Sequence, residues 1–308
     1  MNVLVTGSTG FVGRHLVRCL KNKGYSVYES NTKVANLSNI LNLNVYDCIK
    51  FDYIFHLAAK TKAGDWCKYH KGEQWIDNQI LNTNLLNYWK SLQPQAKLIL
   101  FGTSCSYGPS DLPMTEKDYM VYEPDKDLYT YAMTKRMLLV GCESISSQYG
   151  LKYIHFIPST LYGPQFDAND SHFIFDLIKK ITVGKYENKT VELWGSGNQK
   201  RELVYIDDVI NIVVSLLHLE NQTINLGCGK DYSIKEFAKI ICDLINYDHN
   251  KIVYNENKFV GVKRKILDIN KLLSSMPSDF KFTNLIEGIE NTHKYYINHI
   301  YANSKKSI

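Results

Sequence analysis

The stretch Asn2-Val-Leu-Val-Thr6-Gly7-Ser-Thr-Gly10-Phe-Val-Gly13 decides the fold. Its apolar run reads as a buried parallel strand, its glycines as a tight turn, and the residues after it as an amphipathic helix with Leu16, Val17 and Leu20 on one side. Such glycines let the backbone approach a pyrophosphate, which sits at a helix N-terminus where free N–H groups point at it. The spacing is G-x-x-G-x-x-G, not G-x-G-x-x-G, and the expected cofactor contacts are Gly7, Thr9, Gly10, Phe11, Val12, Gly13 and Arg14.

Outward from this loop, Tyr25 to Glu29 predicts a second strand, followed by Ser30-Asn31-Thr32-Lys33. An acid at the end of that strand would hold a ribose 2′-hydroxyl and select NAD. Glu29 falls too early, and Arg14 and Lys33 suit a 2′-phosphate, so the expected cofactor is NADP, with NAD as the alternative. Asp52 to Ala59 predicts the next strand, where the small residues of Leu57-Ala58-Ala59 let the backbone pass beneath the cofactor. His56 in it reads equally well as a core histidine with its hydrogen bonds met. Gln74 to Ser91 predicts a long helix whose Ile76, Ile80, Leu81, Leu85, Leu86 and Trp89 read as core.

Leu98 to Phe101 predicts a further strand, ending in Gly102-Thr103-Ser104-Cys105, and Tyr131-Ala-Met-Thr-Lys135 opens a helix. Four residues apart, Tyr131 and Lys135 share a helix face, so the ammonium is expected to lower the phenol from its usual value of about 10. A hydroxyl from Thr103 or Ser104 would hydrogen-bond a substrate oxygen from the other side, which suits carbonyl and alcohol redox chemistry. With 22 tyrosines in the chain, a single Tyr-x3-Lys pair is also read as a half-buried helix face. Pro109 to Asp127 lacks periodicity and predicts a loop over the site, and Lys152 to Ile157 predicts a sixth strand. Pro158 ends it at the cofactor.

Strands and helices alternate through this half, which predicts an α/β Rossmann fold: a doubly wound parallel sheet with a smaller C-terminal α/β substrate-binding region. Residues 1–160 plus about 203–225 are expected to form the dinucleotide-binding domain, and about 161–202 plus 226–308 the nucleotide-sugar-binding region. Beyond residue 160, 169–172 predicts a helix cap, Val191 to Val204 two short strands around a glycine turn, Asp207 or Asp208 the cap of a helix that packs back on the first domain, and Ser233 with Glu236 a capping box. The tail after Tyr301 reads as disordered.

At 308 residues and 44% hydrophobic the chain can bury a sizeable core. No apolar run reaches the roughly 18 residues that span a bilayer, and the chain starts directly in a strand, so a cytoplasmic protein without a membrane partner is expected. Seven cysteines without a CxxC or ligand spacing argue against a disulfide framework and a metal site. A net charge of +5 from scattered lysines fits anionic small molecules, or simply a solvated basic surface, better than nucleic acid.

Taken together, Gly7-Gly10-Gly13, His56-Leu-Ala-Ala59, Tyr131 with Lys135, Leu161-Tyr-Gly-Pro164 and Arg201-Glu-Leu-Val-Tyr-Ile-Asp-Asp208 resemble the extended short-chain dehydrogenases/reductases over nearly the whole chain. Within them, Leu112-Pro-Met-Thr-Glu116, Ser171-His172, Trp194-Gly-Ser-Gly197 and Arg264-Lys265 resemble nucleotide-sugar epimerase-reductases that act on GDP-linked 4-keto-6-deoxy sugars. The resemblance implies a nucleotide-diphosphate sugar, GDP-linked, as substrate and a homodimer. It makes Tyr131 the acid at the C4 oxygen, Lys135 its electrostatic partner, Thr103 the substitute for a catalytic serine, and Cys105 with His172 the pair that moves protons at C3 and C5. Ser104, Lys180, Trp194, Arg201 and Lys265 become substrate contacts; Thr103 stands where the family has Ser, and Lys180 where it has Arg. A C4 reductase or C4 epimerase needs only Thr103, Tyr131 and Lys135. A dehydratase would need Thr-Asp-Glu where this chain has Thr103-Ser104-Cys105, and a dinucleotide sensor would not need Tyr131 or Lys135.

Overall fold

The computed structural model describes all residues except 62–64, 171, 259–260 and 304–308, so Ser171 and the end of the expected tail lie outside the described residues. The first unit runs through β1 (Asn2–Thr6), α1 (Phe11–Asn22) and β2 (Ser26–Ser30). Next come β3 (Tyr53–His56), the short α2 (Asp65–Tyr69), α3 (Lys71–Leu92), β4 (Lys97–Phe101), α4 (Tyr129–Tyr149) and β5 (Tyr153–Pro158). The remainder comprises β6 (Thr160–Tyr162), α5 (Phe173–Tyr186), β7 (Val191–Trp194), β8 (Lys200–Tyr205), α6 (Ile206–Ser215), β9 (Gln222–Leu226), β10 (Asp231–Ser233) and α7 (Ile234–Ile245). It closes with β11 (Ile252–Asn255), β12 (Arg264–Lys265), α8 (Asn270–Ser275) and α9 (Leu285–Tyr295).

The main sheet is all parallel, in the order β2-β1-β3-β4-β5-β9. Its winding reverses between β1 and β3, which places a ligand crevice outside the carboxyl ends of those two strands. Leu16, Val17 and Leu20 of α1 join Val209, Ile210 and Val213 of α6 in one apolar cluster. Leu85, Leu86 and Trp89 of α3 join Leu138, Leu139 and Cys142 of α4 in another, so helices cover both faces of a doubly wound Rossmann sheet.

The segment expected as a sixth strand is the fifth in chain order, after β1, β2, β3 and β4; between β2 and β3 the chain forms a 3-10 turn, Ile40–Tyr46. Asn39 caps that turn by accepting from Leu41 N at 3.0 Å, and Leu43 and Tyr46 drop into the core. The expected loop over the site is also more ordered than its composition suggests: Tyr119 is buried, and Met114 bridges to Leu267. The two strands around the glycine turn belong to different sheets, β7 pairing with β11 and β8 with β6, β10 and β12.

Asp207 and Asp208 do not cap α6, whose N-cap is Tyr205; both lie inside its first turn. Asp207 meets His15 of α1 at 3.3 Å, and Asp208 accepts from Thr283 N and Oγ1, each at 2.8 Å. The Ser233–Glu236 capping box forms. On α3 the apolar reading is partly overturned: Ile76 and Ile80 are 58% and 41% exposed, while Asn78 and Asn82 are buried. Asn78 hydrogen-bonds both Lys60 N and Lys60 O at 2.9 Å, and such buried amides need partners that only the tertiary fold supplies.

Candidate active site

The glycine loop leaves β1 with Gly7 at φ +66°, where a side chain would be strained. A Cβ there would stand 2.7 Å from Ala58 N, and one on Gly13 2.2 Å from Gly7 O, so the turn, the β3 end and α1 close on each other without room for side chains. Thr6 Oγ1 accepts from Leu57 N and Ala58 N, each at 3.2 Å, which ties the two strand ends together. No side chain caps the N-terminus of α1, so its first N–H groups remain available to an anion. The cradle therefore fits a dinucleotide pyrophosphate.

Phe11 packs edge-on against Phe175 at the start of α5, with centroids 5.8 Å apart. Arg14 donates to Gln165 O at 3.0 Å, Thr9 O at 2.9 Å and Asp167 at 3.1 Å, strapping the loop to the segment after β6. After β2, Asn31 folds an Asx turn that accepts from Lys33 N and Val34 N and leaves no acid at that position. Glu29 instead pairs with Lys21 at 2.7 Å.

At the end of β4, Thr103 opens a 3-10 turn, Ser104–Ser106, and its Oγ1 accepts from Cys105 N at 3.2 Å. The Thr103 hydroxyl also favours the ionised forms of the Tyr131 phenol and the Cys105 thiol, so the three groups form one cluster. Tyr131 lies in the first turn of α4. Contrary to expectation, Lys135 does not lower its phenol: burial raises it, the neighbouring Cys105 adds to that, and Thr103 opposes it. The Lys135 ammonium turns to the sheet and donates to Phe101 O at 2.9 Å, and burial lowers it to about 8.

Burial would raise the Cys105 thiol, but Lys265, the Thr103 hydroxyl and Arg201 outweigh it and hold the thiol below its ordinary value. Lys265 Nζ donates to Cys105 Sγ at 3.1 Å. Ser104 is buried in the same turn. His172, half-exposed at the N-cap of α5, bonds Asp170 through Nδ1 at 2.6 Å and through its backbone N–H at 2.9 Å. Its ring touches Phe175, and no hydrogen bond among the described residues joins it to Thr103, Cys105 or Tyr131. Trp194 is 47% exposed, with Lys180 5.6 Å and Lys258 5.8 Å from its ring centroid. Lys180 also pairs with Asp176 at 2.9 Å, and Pro158 closes β5 beside Leu226.

A family model described as "NAD dependent epimerase/dehydratase family" matches residues 3–227. The chain belongs to that family. GDP-L-colitose synthase of Yersinia pseudotuberculosis is 31% identical over 97% of this chain and 98% of its own length. GDP-L-fucose synthase of Escherichia coli (strain K12) is 26% identical over 88% of this chain and 89% of its own. A GDP-L-fucose synthetase structure from Naegleria fowleri superposes with TM-score 0.84 at 22% identity, covering 97% and 94% of the two chains. A UDP-glucose 4-epimerase structure from Thermotoga maritima does so with TM-score 0.84 at 23%, covering 96% and 99%. Both support the epimerase/dehydratase fold.

Three supports in this family member escaped the sequence reading. Arg136, a buried cation one position after Lys135, donates to Ser106 O at 2.6 Å and Tyr122 O at 2.5 Å, fixing the Thr103 turn against α4. Glu202, fully buried, accepts from Cys228 N and Gly229 N at 2.7 Å and from Leu267 N at 3.1 Å. His56 links Thr6 at 2.9 Å to Asn82 at 3.0 Å, and Asn82 donates to Thr134 O at 3.4 Å, so a polar chain crosses from β1 to α4. Burial lowers His56 to about 4, which makes it the neutral core histidine that one of its two readings foresaw. The signal available in sequence was only a polar residue inside an apolar element.

Proposed function

We propose that the protein is an NADP-dependent epimerase-reductase of a GDP-linked 4-keto sugar, with NAD as the alternative cofactor. The observation that carries this reading is the cluster at the carboxyl end of β4, where Cys105 N donates to Thr103 Oγ1 at 3.2 Å, Lys265 Nζ donates to Cys105 Sγ at 3.1 Å, and the Tyr131 phenol faces both Thr103 and Cys105. The printed names of the two relatives share a GDP-linked sugar, which supports GDP in the substrate. For the cofactor, the absence of an acid after β2 and the presence of Lys33 support a 2′-phosphate.

The bound cofactor would supply a hydride to C4. Tyr131, kept protonated by burial, would give its proton to the C4 oxygen while Thr103 donates a hydrogen bond to it. Lys135, whose ammonium donates to Phe101 O at 2.9 Å, would hold the ribose hydroxyls. Cys105 and His172 would take and return protons at C3 and C5. In the substrate region, 161–202 plus 226–308, Trp194 would support the base or sugar, with Lys180, Arg201 and Lys265 around the diphosphate, while Ser104 in the turn after β4 would hydrogen-bond a substrate oxygen. The position of His172, paired with Asp170 and apart from the Thr103 cluster, favours the second reading of a C4 reductase or C4 epimerase. The exposed Ile76 and Ile80 support a homodimer through α3 and α4, and seven free thiols support a reducing, cytoplasmic setting. Among the described residues no helix is long and apolar enough to cross a membrane.

Nicotinamide absorbance tests the reading: NADPH should be consumed with GDP-4-keto-6-deoxymannose. Tyr131→Phe should lower turnover by about 10²–10⁴ with cofactor affinity nearly intact, since only the phenolic proton is lost. Near wild-type turnover in that variant rules the reductase out.

A further inference from the structure

Lys265 lies on β12, in register with Arg201 of β8. Side chains alternate along a strand, and its neighbour Arg264 turns the other way to pair with Asp231 and the Asp111 carbonyl. Lys265 is thereby aimed at the turn after β4, where its ammonium meets Cys105 Sγ at 3.1 Å. The strand is stapled in place on both sides. Glu202 Oε2 accepts from Leu267 N at 3.1 Å, while Met114 donates to Ile266 O at 3.2 Å and accepts from Asp268 N at 2.9 Å. The ammonium therefore rests on a fixed backbone.

We propose that Lys265 is a positioning residue for Cys105, holding its sulfur as the thiolate that takes a proton from the carbon beside the substrate carbonyl. The proposal rests on the epimerisation reading above and moves Lys265 from the diphosphate to the sulfur. The groups facing that sulfur are Lys265 from β12, Arg201 from β8, the Thr103 hydroxyl from its own turn, the Tyr131 phenol from α4 and the Tyr119 phenol from the loop after β4. Both phenols are raised by burial, Tyr119 to about 12, and stay neutral, so the charges acting on the sulfur are the two cations. Of these Lys265 makes the hydrogen bond, and Arg201 directs one guanidinium nitrogen to Lys200 O at 2.8 Å. In the step itself the C–H bond breaks, an S–H bond forms, and the carbon's electron pair moves into the carbonyl as an enolate. The enolate oxygen accepts hydrogen bonds from Thr103 and Tyr131, and return of a proton on the opposite face restores the ketone with no change in oxidation level.

Two measurements test this, and the first needs no substrate. Iodoacetamide alkylation of Cys105, followed against pH by peptide mass spectrometry to separate it from the exposed Cys48, reads the thiolate directly. Lys265→Met should move the midpoint upward and slow alkylation at pH 6.5 by about tenfold or more, whereas Lys265→Arg should stay close to wild type. Solvent deuterium incorporation into the 4-keto sugar without NADPH should fall in parallel at pH 6.5 and recover as the pH rises, which a merely structural loss would not do. Lys265→Gln repeats both measurements if the Met variant does not fold. An unchanged alkylation midpoint overturns the proposal, as does wild-type exchange in a variant whose midpoint has moved. A wild type whose thiol responds to Lys265 but which exchanges no deuterium overturns the epimerisation reading, and the role of Lys265 in it, while the ion pair itself stands.

Discussion

Lys135 shows how far a single residue departs from its sequence context. The Tyr-x3-Lys spacing is legible, and so is the helix that carries it, but the direction of the ammonium depends on which acceptor the fold leaves within reach. That acceptor is Phe101 O, at 2.9 Å. Burial lowers the group to about 8, against about 10.4 in an unfolded chain. Between those values the unfolded state binds more protons, so stability rises with pH across that window. Below about 8 the buried ammonium costs roughly 3 kcal/mol. Lys135→Met removes that cost and gives up one hydrogen bond worth about 1 kcal/mol. At pH 7 the variant should match or exceed wild type in urea unfolding while its activity is lost. Near pH 10 wild type should draw ahead. A variant that is weaker by the same margin at both pH values would show that the charge is not strained by burial. Cys105 and Lys265, 160 positions apart in the chain, had no sequence signal for their contact, because only the pairing of β12 with β8 brings them together.

At the scale of elements, the glycine loop was legible because its constraint is local: each glycine faces backbone within the same turn or the adjacent strand end. The 3-10 turn between β2 and β3 was not, since Asn39 capping and burial of Leu43 and Tyr46 decide it. Nor were the partners of β7 and β8, whose pairings reach β11 and β6, β10 and β12 across the chain. Two glycines separate a close approach from mere composition. Gly13→Ala places its Cβ 2.2 Å from Gly7 O and 2.8 Å from Ser8 C, and α1 cannot retreat because Leu16, Val17 and Leu20 hold it in the core. We expect a loss of about 1–3 kcal/mol or more, with weakened cofactor binding. Gly72, in the first turn of α3, has nothing within 4 Å of the position a methyl would take. Gly72→Ala should leave the melting temperature unchanged or raise it, since alanine is the better helix former by about 1 kcal/mol. Melting curves of the two variants with and without NADPH separate the cases, and equal losses in both would remove the close-approach account.

For the whole molecule, α3 serves two surfaces. Inward, Leu85, Leu86 and Trp89 pack with α4, where Gly141 lies so close that a Cβ would stand 2.8 Å from Leu86 Cδ1, while Asn78 and Asn82 hold the loop after β3 and His56. Outward, Trp75, Ile76 and Ile80 stand exposed, and Met137 is exposed on α4. Hydrophobic periodicity records only that a side chain is apolar, so it assigned the outer isoleucines to the core; what distinguishes them is that buried asparagines occupy the inner face. Apolar residues four apart on a solvent-facing helix gain from association by roughly 1.5–3 kcal/mol for each side chain fully buried. In a two-fold dimer each substitution acts twice, because the same patch appears on both subunits. Wild type should therefore sediment at twice the chain mass of 35.5 kDa, and Ile76→Lys with Ile80→Lys at that mass itself. The substituted helix should keep its inner face, so NADPH binding should persist in the monomer. A wild type that sediments as a monomer at micromolar concentration, or a double variant that remains dimeric, would place the subunit contact elsewhere or remove it.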